Sequence, residues 1–222
     1  MAASAPPRSL ADQLRAWSDE RLAALLHDRP DLASPAPQDS AQLASRAAVR
    51  ASLLRAMDQL THLELAALEA LAALGPCAIT ELVTLVNADP RATMSATERL
   101  VDLALAWESP EGLRALTGTL EGLAFAPGGS GLRPRSPGES RPETVAVALA
   151  RLSPAARALL EHLDSHGGHG TTAASAGDVA ATPVQELLAA RLLLPRDGGV
   201  VILPGEVAVA LRGGRTTREP VD

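Results

Sequence analysis

Lysine and tyrosine are missing from this 222-residue chain, and aromatic residues amount to 1%, in Trp17, Trp107 and Phe125. Leucine, alanine and valine must therefore fill whatever core forms, out of a hydrophobic content of 46%. All 20 basic residues are arginine. Beside so much alanine, that pattern reflects GC-rich coding before it reflects selection for bidentate contacts, so an arginine here is weak evidence for phosphate binding. Without lysine the phosphate cradle GxxxxGK[ST] cannot be built, which excludes a P-loop motor. No GxSxG nucleophile elbow occurs. Cys77 is the only cysteine, so an intrachain disulfide is impossible and a cytoplasmic setting is expected. The start MAASAPPRSLADQL lacks the apolar segment of a signal peptide, and no run approaches the roughly 18 apolar residues of a membrane span. The expectation is a soluble protein with no membrane contact.

What is present is unevenly charged. The net charge is −6 and the pI about 5.4, which argues against a free-standing nucleic-acid binder. Residues 1–60 hold seven Arg and seven acids, residues 133–222 ten of each, and residues 61–132 three Arg against nine acids. All the excess acid lies in that middle stretch.

The clearest local pattern is Thr182 to Gly213. Pro183 suits a first helical position, and Val184, Leu187, Leu188 and Leu192 recur at helical spacing. Leu192–Pro195 and Val200–Leu203 flank Asp197-Gly198-Gly199, a hairpin signal with a two-residue turn at Asp197-Gly198 or Gly198-Gly199. A helix running straight into a hairpin is the second half of a winged helix. The same layout occurs earlier. Thr61-His62-Leu63-Glu64 is a capping box opening a helix that Gly75-Pro76 closes, and Ile79–Val86 forms a second helix. Ser95-Ala96-Thr97-Glu98 reads as a capping box for the third, and Ala106 to Leu116 as the wing.

Before these modules, short helices are expected over Leu10–Trp17 and Glu20–His27, and one longer helix from Asp39 or Ser40 to about Leu60, with Leu43, Ala47, Leu54 and Met57 on one stripe. The reading is mainly α: a helical region over 1–60, a first winged helix over 61–126, a Gly-Pro-Ser linker over 127–142, a second winged helix over 143–214 and a tail over 215–222. In the second module Glu143–Leu152 and Ala155–Asp164 are helices, with Ser153-Pro154 between them. A short middle helix falls within Thr171–Ala181. Arg133, Arg135 and Arg141 of the linker read as solvated rather than as an arm tracking nucleic acid.

SDERLAALLHDRPDLA (18–33), LARLSPAARALLEHL (149–163), AARLLLP (189–195) and LPGEVAVALRGG (203–214) together resemble the N-terminal region of actinobacterial helicase-associated proteins, a family described by its similarity to XPB-type helicases. The resemblance covers most of the chain and implies winged-helix domains working around nucleic acid. It implies no ATPase, since none of these pieces is a catalytic motif.

Candidate sites are few. His162, His166 and His169, near Asp164, have spacing that a zinc ion can use, but three glycines around them argue for an exposed loop. Cys77, in a turn before an apolar helix, reads as a small buried filler and not a nucleophile. In a winged helix the third helix enters the major groove. In the first module that helix offers Arg91, Thr93, Ser95 and Arg99 against Asp89, Glu98 and Asp102, with Glu108 and Glu111 on the wing beside Arg114. Such a surface repels phosphates. The second module offers Gln185 as an adenine reader and Arg191, Arg196 and Arg212 as phosphate contacts, with Glu186 and Asp197 opposing them. Arg212, Arg215 and Arg218 form a basic tail.

The expected function is a non-catalytic, helicase-associated module that positions DNA or a protein partner, such as a helicase module, with no cofactor. The alternative is a protein–protein scaffold that uses winged-helix domains without touching DNA.

Overall fold

A computed structural model of the chain describes residues 7–123, 130–136, 142–172 and 182–221. The described residues are mainly helical with two small antiparallel sheets. They fall into two compact units, residues 1–129 with 219–222 and residues 130–218. The latter part of the expected middle helix, residues 173–181, and Arg141 lie outside the described residues.

Unit 1 contains α1 (Leu10–Ala16), α2 (Asp19–Asp28), α3 (Pro30–Ala33), α4 (Ser40–Ala47), α5 (Arg50–Met57), α6 (His62–Leu74), α7 (Ile79–Leu85), α8 (Pro90–Asp102), the hairpin β1 (Ala106–Ser109) and β2 (Gly112–Ala115), and α9 (Thr119–Leu123). Ser9, Ser18, Asp39, Thr61 and Asp89 each accept a first-turn N–H with their side chains. They satisfy donors that a helix start otherwise leaves orphaned. At α6 the box is complete, with Thr61 N donating to Glu64 Oε2 at 2.7 Å.

Two helices differ from expectation. The segment 40–60 is two helices, because Val49 takes an extended conformation between them. The break resets the phase. Leu43 and Ala47 are buried on α4, but Ser52, Leu53, Ala56 and Met57 are the buried residues of α5, and Leu54 is only half-buried. The third helix of the first module starts at Pro90, not near Ser95, since Asp89 accepts from both Arg91 N and Ala92 N. Ser95–Glu98 is helix interior, where Thr97 is buried and donates to Thr93 O at 2.7 Å.

The N-terminal helices do not stand apart. Leu14 of α1, Leu25 of α2 and Leu53 of α5 belong to the same apolar cluster as Leu68 of α6, Leu82 of α7 and Leu100 of α8. Arg29 penetrates this cluster with a fully buried side chain. It donates to Leu103 O at 3.0 Å and Ser52 O at 3.1 Å, and Asp31 lies 3.5 Å away. Burial pushes its guanidinium pKa down, and the Asp31 charge opposes that shift.

In the hairpin Ser109 pairs with Gly112 across the two-residue turn Pro110-Glu111. A third extended segment joins it only at Cys77, which exchanges both backbone hydrogen bonds with Leu113 at 3.1 and 2.9 Å. It cannot be longer, since Gly75 ends α6, Pro76 has no N–H and Ala78 is the residue before α7. Gly112, at φ +118°, lets this segment approach, because a Cβ there would sit 2.5 Å from Cys77 O.

Unit 2 contains α10 (Pro142–Ala150), α11 (Pro154–Ser165), β3 (His169–Thr171), α12 (Pro183–Ala189), β4 (Leu194–Arg196), β5 (Val200–Ile202) and α13 (Gly205–Leu211). The sheet order is β3-β5-β4, all antiparallel. The β4–β5 connection is a three-residue 3-10 turn, Asp197-Gly198-Gly199, and not a two-residue turn, since Arg196 pairs with Val200. Leu149, Leu160, Leu187, Leu192, Val201 and Val207 are among its buried apolar residues. Residues 130–136, expected within a solvated linker, lie down on this unit. Leu132 is buried, Gly205 N donates to Pro134 O at 3.3 Å and Ser136 N to the buried Glu206 at 3.1 Å.

Candidate functional site

In unit 1, α8 turns Glu98, Val101 and Asp102 to one side through helical periodicity. That side faces the hairpin and the start of α7 across a cleft of about 510 Å³. Ile79, Val101 and Leu113 give the cleft apolar surface, and Glu98, Asp102 and Glu108 bring three carboxylates to it. Arg21 of α2 also lines it. Its Nε and Nη2 donate to Asp102 Oδ1 at 3.0 and 2.7 Å, and its guanidinium stacks 4.0 Å over the Trp17 ring.

The cations expected on this face are largely taken up within the unit. Arg99 pairs with Asp28 and Arg114 with Glu111. Thr93 is buried, its hydroxyl donating to Asp89 O at 2.9 Å. Arg91 and Ser95 remain exposed toward the start of α8. Glu98 and Glu108 are exposed, and no described residue pairs with either side chain. The sequence marked the acidic excess of this region, but the cleft needed Arg21 and the hairpin brought to α8, which no local pattern announces.

In unit 2 the four expected contacts separate. Gln185 is half-buried in the first turn of α12, where Thr182 Oγ1 accepts from Gln185 N at 3.3 Å and donates to Gln185 Oε1 at 2.9 Å. Arg191 is exposed beyond the other end of α12, in the left-handed region at φ +57°. Arg196 is exposed on β4.

Arg212 is a correction. Its side chain is 3% exposed, and all three of its nitrogens are engaged. Nε donates to Asp164 Oδ1 at 3.0 Å, Nη2 to Asp164 Oδ1 at 2.6 Å and Ser130 O at 3.0 Å, and Nη1 to Thr216 O. Arg218 reaches the same carboxylate, Nη2 to Oδ2 at 2.5 Å. The expected basic tail is thus folded back through residue 218 onto the end of α11. Its signal was Asp164, a lone acid on the α11 face that otherwise carries Leu160 and Leu163.

The histidines do not converge on one point. His162 and His166 stack with ring centroids 4.1 Å apart, and His166 Nδ1 lies 2.8 Å from His162 O. His169 instead faces Arg133, its Nδ1 3.1 Å from Arg133 Nη2. Asp164, the acid grouped with them, belongs to the two arginines. Among the described residues no group of three or more His, Cys, Asp or Glu side chains is placed to hold a metal ion. Cys77 is buried in the apolar cluster of unit 1 and is not in a disulfide.

Glu186, opposite the expected DNA contacts, braces two helices. It accepts from Ser153 N at 2.8 Å and Ser153 Oγ at 2.6 Å, at the start of α11. The Ser153 hydroxyl and then its N–H hold the Glu186 carboxyl below the usual carboxylate range.

No helix among the described residues is long and apolar enough to cross a membrane. Comparison with family profiles, curated proteins and solved structures finds no significant match to the chain.

Proposed function

We propose that this chain is a non-catalytic positioning module built on two winged-helix units, and that unit 1 holds a protein partner. The order α6, extended Cys77, α7, α8 and hairpin supports a winged-helix reading of unit 1. The order α11, β3, α12 and hairpin, with sheet order β3-β5-β4, supports it for unit 2. The observation that carries the partner reading is the face of α8 and its wing. There Arg99, Arg114 and Arg21 are consumed by internal ion pairs while Glu98 and Glu108 stay exposed. A duplex laid on that face would meet two exposed carboxylates against one exposed cation, Arg91, where a DNA-reading surface offers mainly cations. The helicase-like resemblance makes a helicase module a natural partner.

Direct DNA contact through unit 2 is the second reading, favoured by the exposure of Arg191 and Arg196. Two arginines make a small electrostatic footprint, and Gln185 would have to exchange its Thr182 bond to read a base.

Fluorescence anisotropy with labelled duplex, forked and single-stranded DNA across a salt series separates the two. The partner reading expects no binding tighter than about 100 μM at physiological salt, the weak end of non-specific binding. Micromolar binding that weakens steeply with salt and is lost in Arg191→Ala/Arg196→Ala would replace it with the DNA reading.

A further inference from the structure

We infer that the cleft between α8, the start of α7 and the β1–β2 hairpin is a docking site for an extended peptide that carries arginine among apolar residues. This deepens the partner reading of unit 1 and rests on it.

The volume, about 510 Å³, lies within the roughly 300–1,000 Å³ range of ligand sites. It suits side chains and is far too small for a duplex. Its chemistry is two-sided. Ile79, Val101 and Leu113 offer surface to an aliphatic stem, and Glu98 and Glu108 await a cation at its end. Arginine has that construction, an apolar stem that can lie on an apolar wall while its planar head meets carboxylates.

The unit already contains one such arrangement. Arg21 lays its guanidinium on Trp17 and binds Asp102 with Nε and Nη2 at the same cleft. With Asp102 satisfied, the lining still holds two carboxylates and no second cation among its residues. An incoming arginine completes the pattern that Arg21 begins, whereas a phosphate or an acidic peptide is repelled. Charge complementarity reaches beyond the cleft, since residues 61–132 hold nine acids against three Arg.

The test uses the full chain and a fluorescein-labelled decapeptide alternating leucine and arginine, read by anisotropy at low salt. The same peptide with glutamate in place of arginine serves as the opposed probe. The arginine peptide is expected to bind and the glutamate peptide not. Glu98→Gln/Glu108→Gln is expected to weaken binding about tenfold or more with the helical circular dichroism unchanged. Glu121→Gln, an exposed acid on α9, should leave it unaltered. Ile79→Thr should weaken binding without changing its salt dependence.

Failure of the arginine peptide to bind the folded chain overturns the inference, as does binding that survives the double substitution. Either result leaves the partner reading itself to the DNA titration, which uses a different probe and different residues. Equal binding of the glutamate peptide overturns the charge argument.

Discussion

In unit 1 the buried guanidinium of Arg29 is held mainly by neutral oxygens, Leu103 O and Ser52 O, with Asp31 3.5 Å away. In unit 2 the buried guanidinium of Arg212 leans on one carboxylate, Asp164, which also serves Arg218. Both arginines tie distant segments together, Arg29 joining three helical stretches and Arg212 joining α11 to residues 130 and 216. They differ in how much rests on a single charge. Both keep two carbonyl partners, so the contrast lies in the carboxylate. Asp164 accepts directly from Arg212, whereas Asp31 stands 3.5 Å from Arg29, and breaking a buried pair in direct contact costs more.

That difference sets the largest expected effect. Asp164→Ala should destabilise unit 2 by about 3–5 kcal/mol, since Arg212 is left buried without its counter-charge. Asp31→Ala should destabilise unit 1 by only about 1–2 kcal/mol, the scale of one buried hydrogen-bond partner. Urea denaturation of both variants measures the gap. Equal losses would show that a carboxylate 3.5 Å from Arg29 counts for as much as one in direct contact with Arg212.

The next contrast concerns the hairpins, which use glycine in the same way. A Cβ at Gly112 would lie 2.5 Å from Cys77 O, and one at Gly199 would lie 2.6 Å from Thr172 O. Their backbones differ, φ +118° against +72°, and the first is farther from anything an L-residue adopts. Gly112→Ala should cost about 3 kcal/mol and Gly199→Ala about 2 kcal/mol. The reverse order would mean that the single bridge at Cys77 yields more easily than the three-residue β3.

Much of this was legible in the chain. The Thr61-x-x-Glu64 box, the Ser153-Pro154 start and the Asp197-Gly198-Gly199 hairpin are local patterns with local causes, and each lies where its residues point. What was not legible is non-local. Asp89 outcompetes the Ser95 box because a cap followed by proline at the first helical position starts α8 well over a turn earlier. Val49 divides a helix whose apolar stripe reads as continuous. Arg212 looks like a free tail cation until the fold brings Asp164 beneath it. In the cleft the acids were visible, but the Arg21–Asp102 pairing spans 81 residues, beyond the reach of any spacing rule.

A smaller effect lies where α8 and α12 end. Both close on a non-glycine residue in the left-handed region, Ala104 at φ +53° and Arg191 at φ +57°. Leu105 N then donates to Leu100 O and Leu192 N to Leu187 O, each at 2.9 Å. Glycine is the usual occupant of that position. Arg191 is exposed and gives up little packing, so Arg191→Gly should stabilise unit 2 by about 1 kcal/mol. Ala104 is fully buried, so Ala104→Gly loses a methyl worth about 0.8 kcal/mol and should come out near zero. Thermal melts of the two variants distinguish them.

The smallest effect separates two ways of capping a helix, at α6 and at α11. At α6 the glutamate is local, with Thr61 N donating to Glu64 Oε2. At α11 the third helical position is Ala156, and the glutamate comes from α12 instead, with Ser153 N donating to Glu186 Oε1 at 2.8 Å. Capping in unit 2 is therefore also a tertiary contact, and it is anionic at a helix N-terminus, where negative charge is favoured. Ser153 holds the Glu186 carboxyl below its ordinary pKa of 4.5. A carboxyl lowered in the folded state contributes stability that is fully present above its unfolded pKa and is lost as pH falls through its folded pKa. Glu186→Gln keeps the shape but has no charge to lose. The stability gap between the parent chain and this variant should thus be widest near pH 6 and close as acid is added below about pH 4.5. Urea midpoints taken across that range read the gap directly. A constant gap would mean that Glu186 serves α11 only as a hydrogen-bond acceptor, making the two caps equivalent in kind and different only in reach.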